Sequence, residues 1–173
     1  TPMKRLKDAF SSGHVVLDIA ASDMESAIRE AIRQSVAEGM LPEQAKDQVV
    51  SALLRRETEA PTTIGHASAI PHAYLDVLTE PLIIFVRLAH PVNAGAPDGI
   101  PVQFLFVLLG PPGAAAEHLD TLASIARLLS NDEFRYDLGR AGNRAALLEA
   151  LQRFVDQTEL SIPPVAKKGI GLE

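Results

Sequence analysis

The sequence predicts a single α/β domain in which a mixed β-sheet has helices on both faces, and two observations support this fold class. Residues 82–88 and 102–109 are strongly apolar runs with the length and β-branched content of buried strands. Segments whose apolar residues recur at helical spacing stand before and after these runs. Since a strand that is apolar throughout must be covered on both sides, we expect a sheet of about four to six strands between helices.

The composition excludes several classes of function. The chain has 173 residues, of which 47% are hydrophobic and 22% charged, and it is long enough to bury a core of its own. It contains no cysteine, which excludes disulfides, thiolate catalysis and Cys-ligated metal clusters. The formal net charge of −6 and the low aromatic content argue against nucleic-acid binding.

The distribution of apolar residues also bears on location and domain organisation. No apolar run approaches the roughly 20 residues that span a bilayer, and no secretory signal pattern opens the chain. We therefore expect a cytoplasmic protein, or the cytosolic domain of a membrane transporter if the chain is a piece of a longer one. The predicted organisation is a lead-in or linker over residues 1–14, one domain over 15–156 and a tail over 157–173. No cofactor is expected, and a homo-oligomer stays open.

Capping patterns mark the predicted starts of three helices. Ser22 and Glu25 stand at capping-box spacing, and so do Ser130 and Glu133. Asn143 is placed to cap the last helix, because its side-chain oxygen can accept from a backbone N–H of the first turn. The strand predicted at residues 15–19 precedes the first of these helices.

A further helix opens near Pro42 and ends at Arg56, which Glu57 follows. Charged residues at a helix end most often only contact solvent and the helix dipole. The segment 62–70 is then predicted to form a small hairpin or extended loop with Gly65 near its tip.

His72 is the first candidate for chemistry. Pro71 has its φ angle fixed near −65° and restricts Ile70 to extended conformations, so the backbone leading to His72 is stiff. An imidazole held in this way can act as a nucleophile near neutral pH. The alternative is a partly exposed loop histidine without a chemical role.

His118 is the second candidate. A helix is predicted over residues 115–129, and His118 lies in its first turn on the same face as the expected core residues. A helix N-terminus favours a neutral imidazole and attracts anions, but a histidine packed at the edge of the core is an equally good interpretation. The expected core stripe consists of Leu119, Leu122, Ile125, Ala126 and Leu129.

Four motifs in this order give the chain a resemblance to a known family. They are Arg56-Glu57 at a helix end, Ile64-Gly65 leading to Ala69-Ile70-Pro71-His72, Pro101-Val102 opening an apolar strand, and Glu117-His118-Leu119 opening a helix. Together they resemble the enzyme IIA domain of the fructose–mannitol type in the bacterial sugar phosphotransferase system, and the nitrogen-regulatory IIA proteins equally. The resemblance covers roughly residues 15–155.

The resemblance implies a function and a site. In that family the residue matching His72 accepts a phosphoryl group from the phosphocarrier HPr and passes it on, flanked by residues matching Arg56 and His118. Phosphoryl transfer needs a neutral ring nitrogen and donors aimed at the phosphoryl oxygens, which these three side chains can supply. The implied partners are an HPr-like phosphocarrier and a sugar- or ion-transporter domain.

Two short segments depart from the family pattern. The family usually has Gly-Asn-Gly where this chain has Gly65-His66-Ala67, and often has Gly and a basic residue where Ala73 and Tyr74 stand. These departures motivate a second hypothesis, in which the domain is a regulatory or sensor module attached to an anion or ion transporter and transfers no phosphate.

Two further hypotheses follow from the histidines. His66, His72 and His118 could form a metal site, although their spacing does not resemble that of known sites and no carboxylate is obviously placed as a fourth ligand. Ser68 and His72 could form a hydrolase pair, but the nucleophile-elbow pattern is missing.

Overall fold

The computed structural model describes residues 2–12 and 14–161. Its helices and strands follow one another along a single domain, and a 3₁₀ turn at Glu43–Ala45 leads into the third α-helix. The elements in order are α1 (Pro2–Ser11), β1 (Val15–Ile19), α2 (Met24–Ala37), α3 (Lys46–Glu59), β2 (Thr63–Gly65), β3 (Ser68–Ala69), β4 (His72–Tyr74), β5 (Leu82–Val92), β6 (Val102–Gly110), α4 (Ala114–Leu129), α5 (Asp132–Arg140) and α6 (Arg144–Ser161).

The six strands form one mixed sheet, which confirms the predicted fold class. The order along the sheet is β1-β5-β6-β3-β2, and the short strand β4 also pairs with β6. Strands β5 and β6 are antiparallel, whereas β1 runs parallel to β5, and both β3 and β4 run parallel to β6. The first half of the long strand β6 therefore pairs with β3 of the hairpin β2-β3, and its second half pairs with β4.

Helices cover both faces of the sheet, as predicted. The β6 side chains alternate between two buried clusters: Leu105 and Val107 face α2 and α3, while Phe104 and Phe106 face α1, α4, α5 and α6. A strand buried on both faces needs apolar residues at every position, which explains the continuous apolar run. No helix in the described part of the chain has the length and apolar character needed to span a bilayer.

The amino-terminal helix α1 lies within the predicted lead-in and packs on the domain. Leu6 is fully buried and Ala9 nearly so, both in the cluster beneath α4 and α6. Arg5 forms an ion pair with Glu117 at the start of α4, with 3.1 Å between Nε and Oε1. At the other end of the chain, α6 continues to Ser161, and residues 162–173 of the predicted tail lie outside the described residues.

Two of the three predicted helix starts need correction. Helix α2 is capped by Asp23, whose carboxylate accepts from Ser26 N–H at 2.8 Å while the Ser26 hydroxyl accepts from Asp23 N–H. The capping box is therefore one residue later than predicted. Helix α5 is capped by Asn131, which accepts from Phe134 N–H. Asn143 caps α6 as predicted, accepting from Ala146 N–H.

The third correction concerns strand length. Strand β5 continues past the predicted end at residue 88 to Val92, and Val92 pairs with Val102 across an irregular register. Pro91 lies in this extension, and a proline is tolerated where the ladder is interrupted. Gly39, with φ +80°, follows the end of α2, and a glycine at this place in a sequence is typical of a helix end.

Helix α4 is rotated relative to the predicted core stripe. Leu119 is 49% exposed and Ala126 is also exposed, so neither belongs to the buried face. That face instead includes the polar residues His118, Thr121 and Ser124 together with Ile125, Leu128 and Leu129. His118, which is 1% exposed, lies on the buried face as predicted, whereas Thr121 and Ser124 were not expected there.

Candidate functional site

His72 begins strand β4 and lies half-buried beside the last residues of β6. It pairs with Leu108, and the Pro71 carbonyl accepts from Leu108 N–H at 2.9 Å. The His72 Nδ1 atom lies 2.9 Å from the carbonyl oxygen of Ile70. A carbonyl oxygen can only accept, so a neutral ring carries its proton on Nδ1 and its lone pair on Nε2.

Tyr74 lies two residues further along β4, on the same side of the strand as His72. The ring centroids of His72 and Tyr74 are 6.2 Å apart, and those of Tyr74 and His118 are 5.6 Å apart. The Tyr74 hydroxyl is 2.9 Å from His118 Nδ1. Burial raises the pKa of Tyr74 to about 12, so the phenol keeps its proton near neutral pH.

His118 is the most deeply buried member of this group. Burial is the main reason that the pKa of His118 lies below its ordinary value, while Glu117 opposes this shift and the electrostatic effects of Arg5 and His72 add to it. Its Nε2 has no hydrogen-bond partner among the described residues. The neutral imidazole that the helix N-terminus led us to expect is in agreement with these surroundings.

Arg56 and His72 share one surface cleft of about 280 Å³. The Arg56 Nη1 donates to the Ala60 carbonyl at 2.8 Å, which anchors the guanidinium at the end of α3. A guanidinium has five N–H donors, so others remain for an anion. Tyr74 and Arg55 also line the cleft, with Ala52, Glu59, Ala73 and Leu75.

The predicted trio is therefore brought together only in part. His72 and Arg56 border the cleft directly, whereas His118 is reached through Tyr74 and does not line it. Sequence reasoning did not propose Tyr74 or Arg55 as site residues. Two signals were available: Tyr74 occupies a position where the family often has a basic residue, and Arg55 precedes Arg56 directly.

Glu57 connects the end of α3 to the segment that leads to His72. Its carboxylate accepts from the Thr62 N–H at 3.2 Å and from the Thr62 hydroxyl. Ile70 N–H in turn donates to the Thr62 carbonyl at 3.0 Å. These bonds hold the helix that carries Arg56 in a set position relative to Ile70, whose carbonyl orients the His72 ring.

His66 does not belong to this site, although the metal-site hypothesis required it to lie beside His72 and His118. The carbonyl of Ala67 accepts from Gln103 N–H and Phe104 N–H, whereas His72 pairs with Leu108. Four residues of β6 correspond to about 13 Å, so the hairpin tip and His72 are at separate levels of the sheet. The described residues contain no group of three or more potential metal ligands.

The hydrolase pair is excluded on the same geometric ground. Ser68 pairs with Phe104, four residues along β6 from the partner of His72, and its hydroxyl donates to the His66 carbonyl at 3.0 Å. Ser68 is also fully buried. Its hydroxyl is therefore a structural group of the hairpin and not a nucleophile beside His72.

The predicted hairpin at residues 62–70 is present, and its tip has an unusual backbone. Gly65, His66 and Ala67 have φ angles of +82°, +56° and +59°, the left-handed region that glycine and asparagine tolerate best. Asp98 holds the tip, since its carboxylate accepts from His66 N–H at 2.9 Å and from Ile100 N–H at 3.0 Å. Arg135 approaches the His66 ring, with 3.2 Å between Nη1 and Nδ1.

Comparison with known proteins identifies the family. The chain belongs to the family described as phosphoenolpyruvate-dependent sugar phosphotransferase system, EIIA 2, whose sequence profile matches residues 8–154. This confirms the resemblance drawn from the four motifs.

Relatives and a solved structure agree with this assignment. A nitrogen regulatory protein of Bradyrhizobium diazoefficiens is 36% identical over 124 residues, covering 71% of this chain and 81% of the relative. A fructose-specific EIIA component of Haloferax volcanii is 30% identical over 142 residues, covering 82% and 91%. The crystal structure of the nitrogen regulatory protein IIA-Ntr from Neisseria meningitidis superimposes with a TM-score of 0.73 at 29% identity, covering 84% of this chain and 98% of that one.

A different kind of protein is also similar in sequence. The electrogenic sodium bicarbonate cotransporter 1 of Ambystoma tigrinum is 33% identical over 117 residues, which are 66% of this chain but only 10% of the cotransporter. The likeness therefore concerns one segment of a much larger transport protein.

Proposed function

We propose that this protein is a phosphohistidine carrier in which His72 accepts a phosphoryl group from an HPr-like phosphocarrier. It then passes the group to a transporter domain or uses it as a regulatory signal. The observation that carries the proposal is the hydrogen bond between His72 Nδ1–H and the Ile70 carbonyl, which leaves the Nε2 lone pair as the nucleophile in a cleft bordered by Arg56. We propose that the protein acts in the cytoplasm, where an HPr-like phosphocarrier and the cytosolic domain of a transporter would meet.

The transfer is a balanced exchange between two imidazoles. The Nε2 lone pair of His72 attacks the phosphorus of the donor's phosphohistidine, and a new N–P bond forms. The old N–P bond breaks, and its electron pair returns to the donor's ring. Because the His72 ring becomes positively charged as the bond forms, the Ile70 carbonyl stabilises the product by accepting from Nδ1–H.

Arg56 supplies the positive charge that the phosphoryl oxygens need. A planar guanidinium can donate two parallel N–H bonds to a phosphoryl group, which an ammonium cannot. Its anchor on the Ala60 carbonyl limits the orientations of the side chain before the donor arrives. Among the described residues that line the cleft, Arg55 and Arg56 outnumber the acidic Glu59, so the cleft has an excess of positive charge for an anion.

The proposal is tested by incubating the protein with phosphoenolpyruvate, enzyme I and HPr. We expect acid-labile phosphate on His72 in the wild type and none in His72→Ala. His90→Gln is the matched control, because His90 is exposed on β5 and should leave phosphate incorporation unchanged. Absence of phosphate from the wild type under conditions that phosphorylate a fructose-type EIIA protein would refute the carrier function.

The second candidate function is a regulatory or sensor module of an anion or ion transporter that transfers no phosphate. The similarity to a segment of the sodium bicarbonate cotransporter favours it, as does Tyr74 in place of a basic residue. The wild-type phosphorylation test separates the two functions, because this module takes up no phosphate. A full reading frame that encodes several membrane-spanning segments beside this domain would support the second candidate.

A further inference from the structure

Tyr74 stands between the cleft and His118. Tyr74 lines the cleft together with His72 and Arg56, and its hydroxyl contacts His118 Nδ1 at 2.9 Å. His118 is 1% exposed and does not border the cleft. A phosphoryl group on His72 would therefore meet the phenol of Tyr74 before it could meet the imidazole of His118.

The surroundings of His118 Nε2 indicate which residue donates in the Tyr74–His118 hydrogen bond. If the tyrosine donated to Nδ1, the proton of the neutral imidazole would be on Nε2, where it is buried without an acceptor among the described residues. If Nδ1–H donates to the tyrosine oxygen, only a lone pair is left unpaired on Nε2. Buried N–H groups without a partner are rarer in proteins than unpaired acceptors, so the second arrangement is favoured.

This direction frees the tyrosine proton. With Nδ1–H of His118 bound to the phenolic oxygen, the Tyr74 O–H can turn toward the cleft and donate there. We propose that Tyr74 is the group that donates to a phosphoryl oxygen on His72, and that His118 is a positioning residue that acts through Tyr74. The inference rests on the proposed carrier function and changes the assignment of one of its three residues.

The arrangement has a chemical consequence. A phenol whose pKa is raised to about 12 stays neutral and donates one hydrogen bond, whereas a basic residue at the same place would add a full positive charge. The positive charge at this site then comes from the arginines, and Tyr74 contributes a hydrogen bond with a defined direction. Truncating it removes one charge-assisted hydrogen bond to the transferring group.

The first test needs no phosphoryl donor. Nitrogen-15 NMR of the histidine side chains reports which ring nitrogen carries the proton. We expect His118 in the wild type to be protonated on Nδ1 at neutral pH and its Nδ1 signal to shift in Tyr74→Phe. A proton on Nε2 would overturn the proposal, because Tyr74 would then donate to His118 and not into the cleft.

The second test measures the rate at which phosphohistidine forms from phosphorylated HPr. Tyr74→Phe should lower this rate by roughly tenfold to a hundredfold. Tyr136→Phe is the matched control, since the other tyrosine of the chain is 60% exposed on α5 and should leave the rate unchanged. His118→Ala should lower the rate in the wild type but by less than about twofold in the Tyr74→Phe background, since coupled residues are non-additive.

The outcomes separate the two proposals. If the wild type takes up no phosphate, the carrier function and this inference both fail. If the wild type is phosphorylated but Tyr74→Phe reacts at the wild-type rate, or His118→Ala lowers the rate equally in both backgrounds, only this inference fails. Urea unfolding shows whether each variant is folded. If His118→Ala does not fold, the inference is tested by the protonation of His118 in the NMR experiment and by the phosphorylation rate of Tyr74→Phe.

Discussion

The guanidinium of Arg87 binds the carboxylate of Asp18 across neighbouring strands, with 3.1 Å from Nε to Oδ1 and 3.2 Å from Nη2 to Oδ2. Arg87 is 5% exposed and also donates to the Leu138 carbonyl at 2.9 Å and the Ala141 carbonyl at 2.6 Å. One side chain therefore ties β1 and β5 to the end of α5. Asp18 has a φ of +59° where the register of β1 is irregular.

Arg87→Met should lower the free energy of unfolding by about 2–4 kcal/mol, because it leaves two buried carbonyls unpaired. Asp18→Asn should cost less than about 1 kcal/mol, since the Asp18 side chain is 63% exposed and asparagine tolerates a positive φ. Urea unfolding measures both. Equal losses in the two variants would mean that the ion pair, and not the carbonyl contacts, is the stabilising part.

Ala67→Gly should raise the free energy of unfolding by about 0.5–1 kcal/mol. Alanine at a φ of +59° costs about 1–2 kcal/mol, which glycine would relieve. Glycine is also more flexible in the unfolded chain, and this reduces the expected gain in stability by about half. The matched control is Ala126→Gly on the exposed face of α4, which should lower stability by about 0.5–1 kcal/mol. A loss of stability in both variants would contradict the strain at the hairpin tip.

Arg56→Lys should lower the rate of His72 phosphorylation by roughly tenfold while changing stability by less than about 0.5 kcal/mol. The lysine keeps the charge but loses the two parallel donors. Single-turnover transfer from phosphorylated HPr gives the rate. Arg144→Lys serves as the control, because Arg144 pairs with Glu38 away from the cleft and should not alter the rate.

Arg55→Lys in the same assay tells the two cleft arginines apart. Helix α3 carries them side by side, and only Arg56 is held by the Ala60 carbonyl. We therefore expect the smaller loss of rate from Arg55→Lys. A larger loss would move the assignment of the phosphoryl-binding arginine from Arg56 to Arg55.

Acidification should destabilise the protein below about pH 6.5, the ordinary pKa of histidine. Burial lowers the pKa of His118 and of His14, so the unfolded chain takes up protons before the folded one. Stability is then full above pH 6.5, falls as the pH drops, and levels off below the pKa values of the folded state, with a slope of at most about 1.4 kcal/mol per pH unit for each group. Urea unfolding between about pH 7.5 and 5 measures the slope.

His118→Gln should reduce this slope, and His90→Gln, at an exposed position, should leave it unchanged. A wild-type free energy of unfolding that is independent of pH between about 7.5 and 5 would contradict the burial of a neutral imidazole at His118.

Several elements could be predicted because their signals are local. The helix that ends before Gly39 and the continuous apolar run of β6 depend on the spacing of neighbouring residues. Strand β4 could not be predicted, since three residues carry no periodicity and His72–Tyr74 becomes a strand only by pairing with β6. The extension of β5 to Val92 likewise depends on pairing with Val102.

The residues of the candidate site also differ in whether the sequence could predict them. Local patterns indicated His72, through Pro71, and His118, through the predicted helix start, whereas combining them with Arg56 in one site required the family resemblance because the three residues are distant in the chain. The contact between Tyr74 and His118 follows from the strand conformation of β4 and from the rotation of α4. Neither can be read from spacing alone, which is why Tyr74 was not a predicted site residue.

The attachment of β4 to β6 determines how the two sides of the cleft can move. The Pro71 carbonyl accepts from Leu108 N–H and so ties His72 to β6, a strand that is buried on both faces and that opens only when the whole domain unfolds. Arg56 is in the last turn of α3, where helix ends fray more readily. We therefore expect adjustment to a bound protein to occur on the arginine side, while His72 keeps its position and the amide hydrogen of Leu108 exchanges slowly.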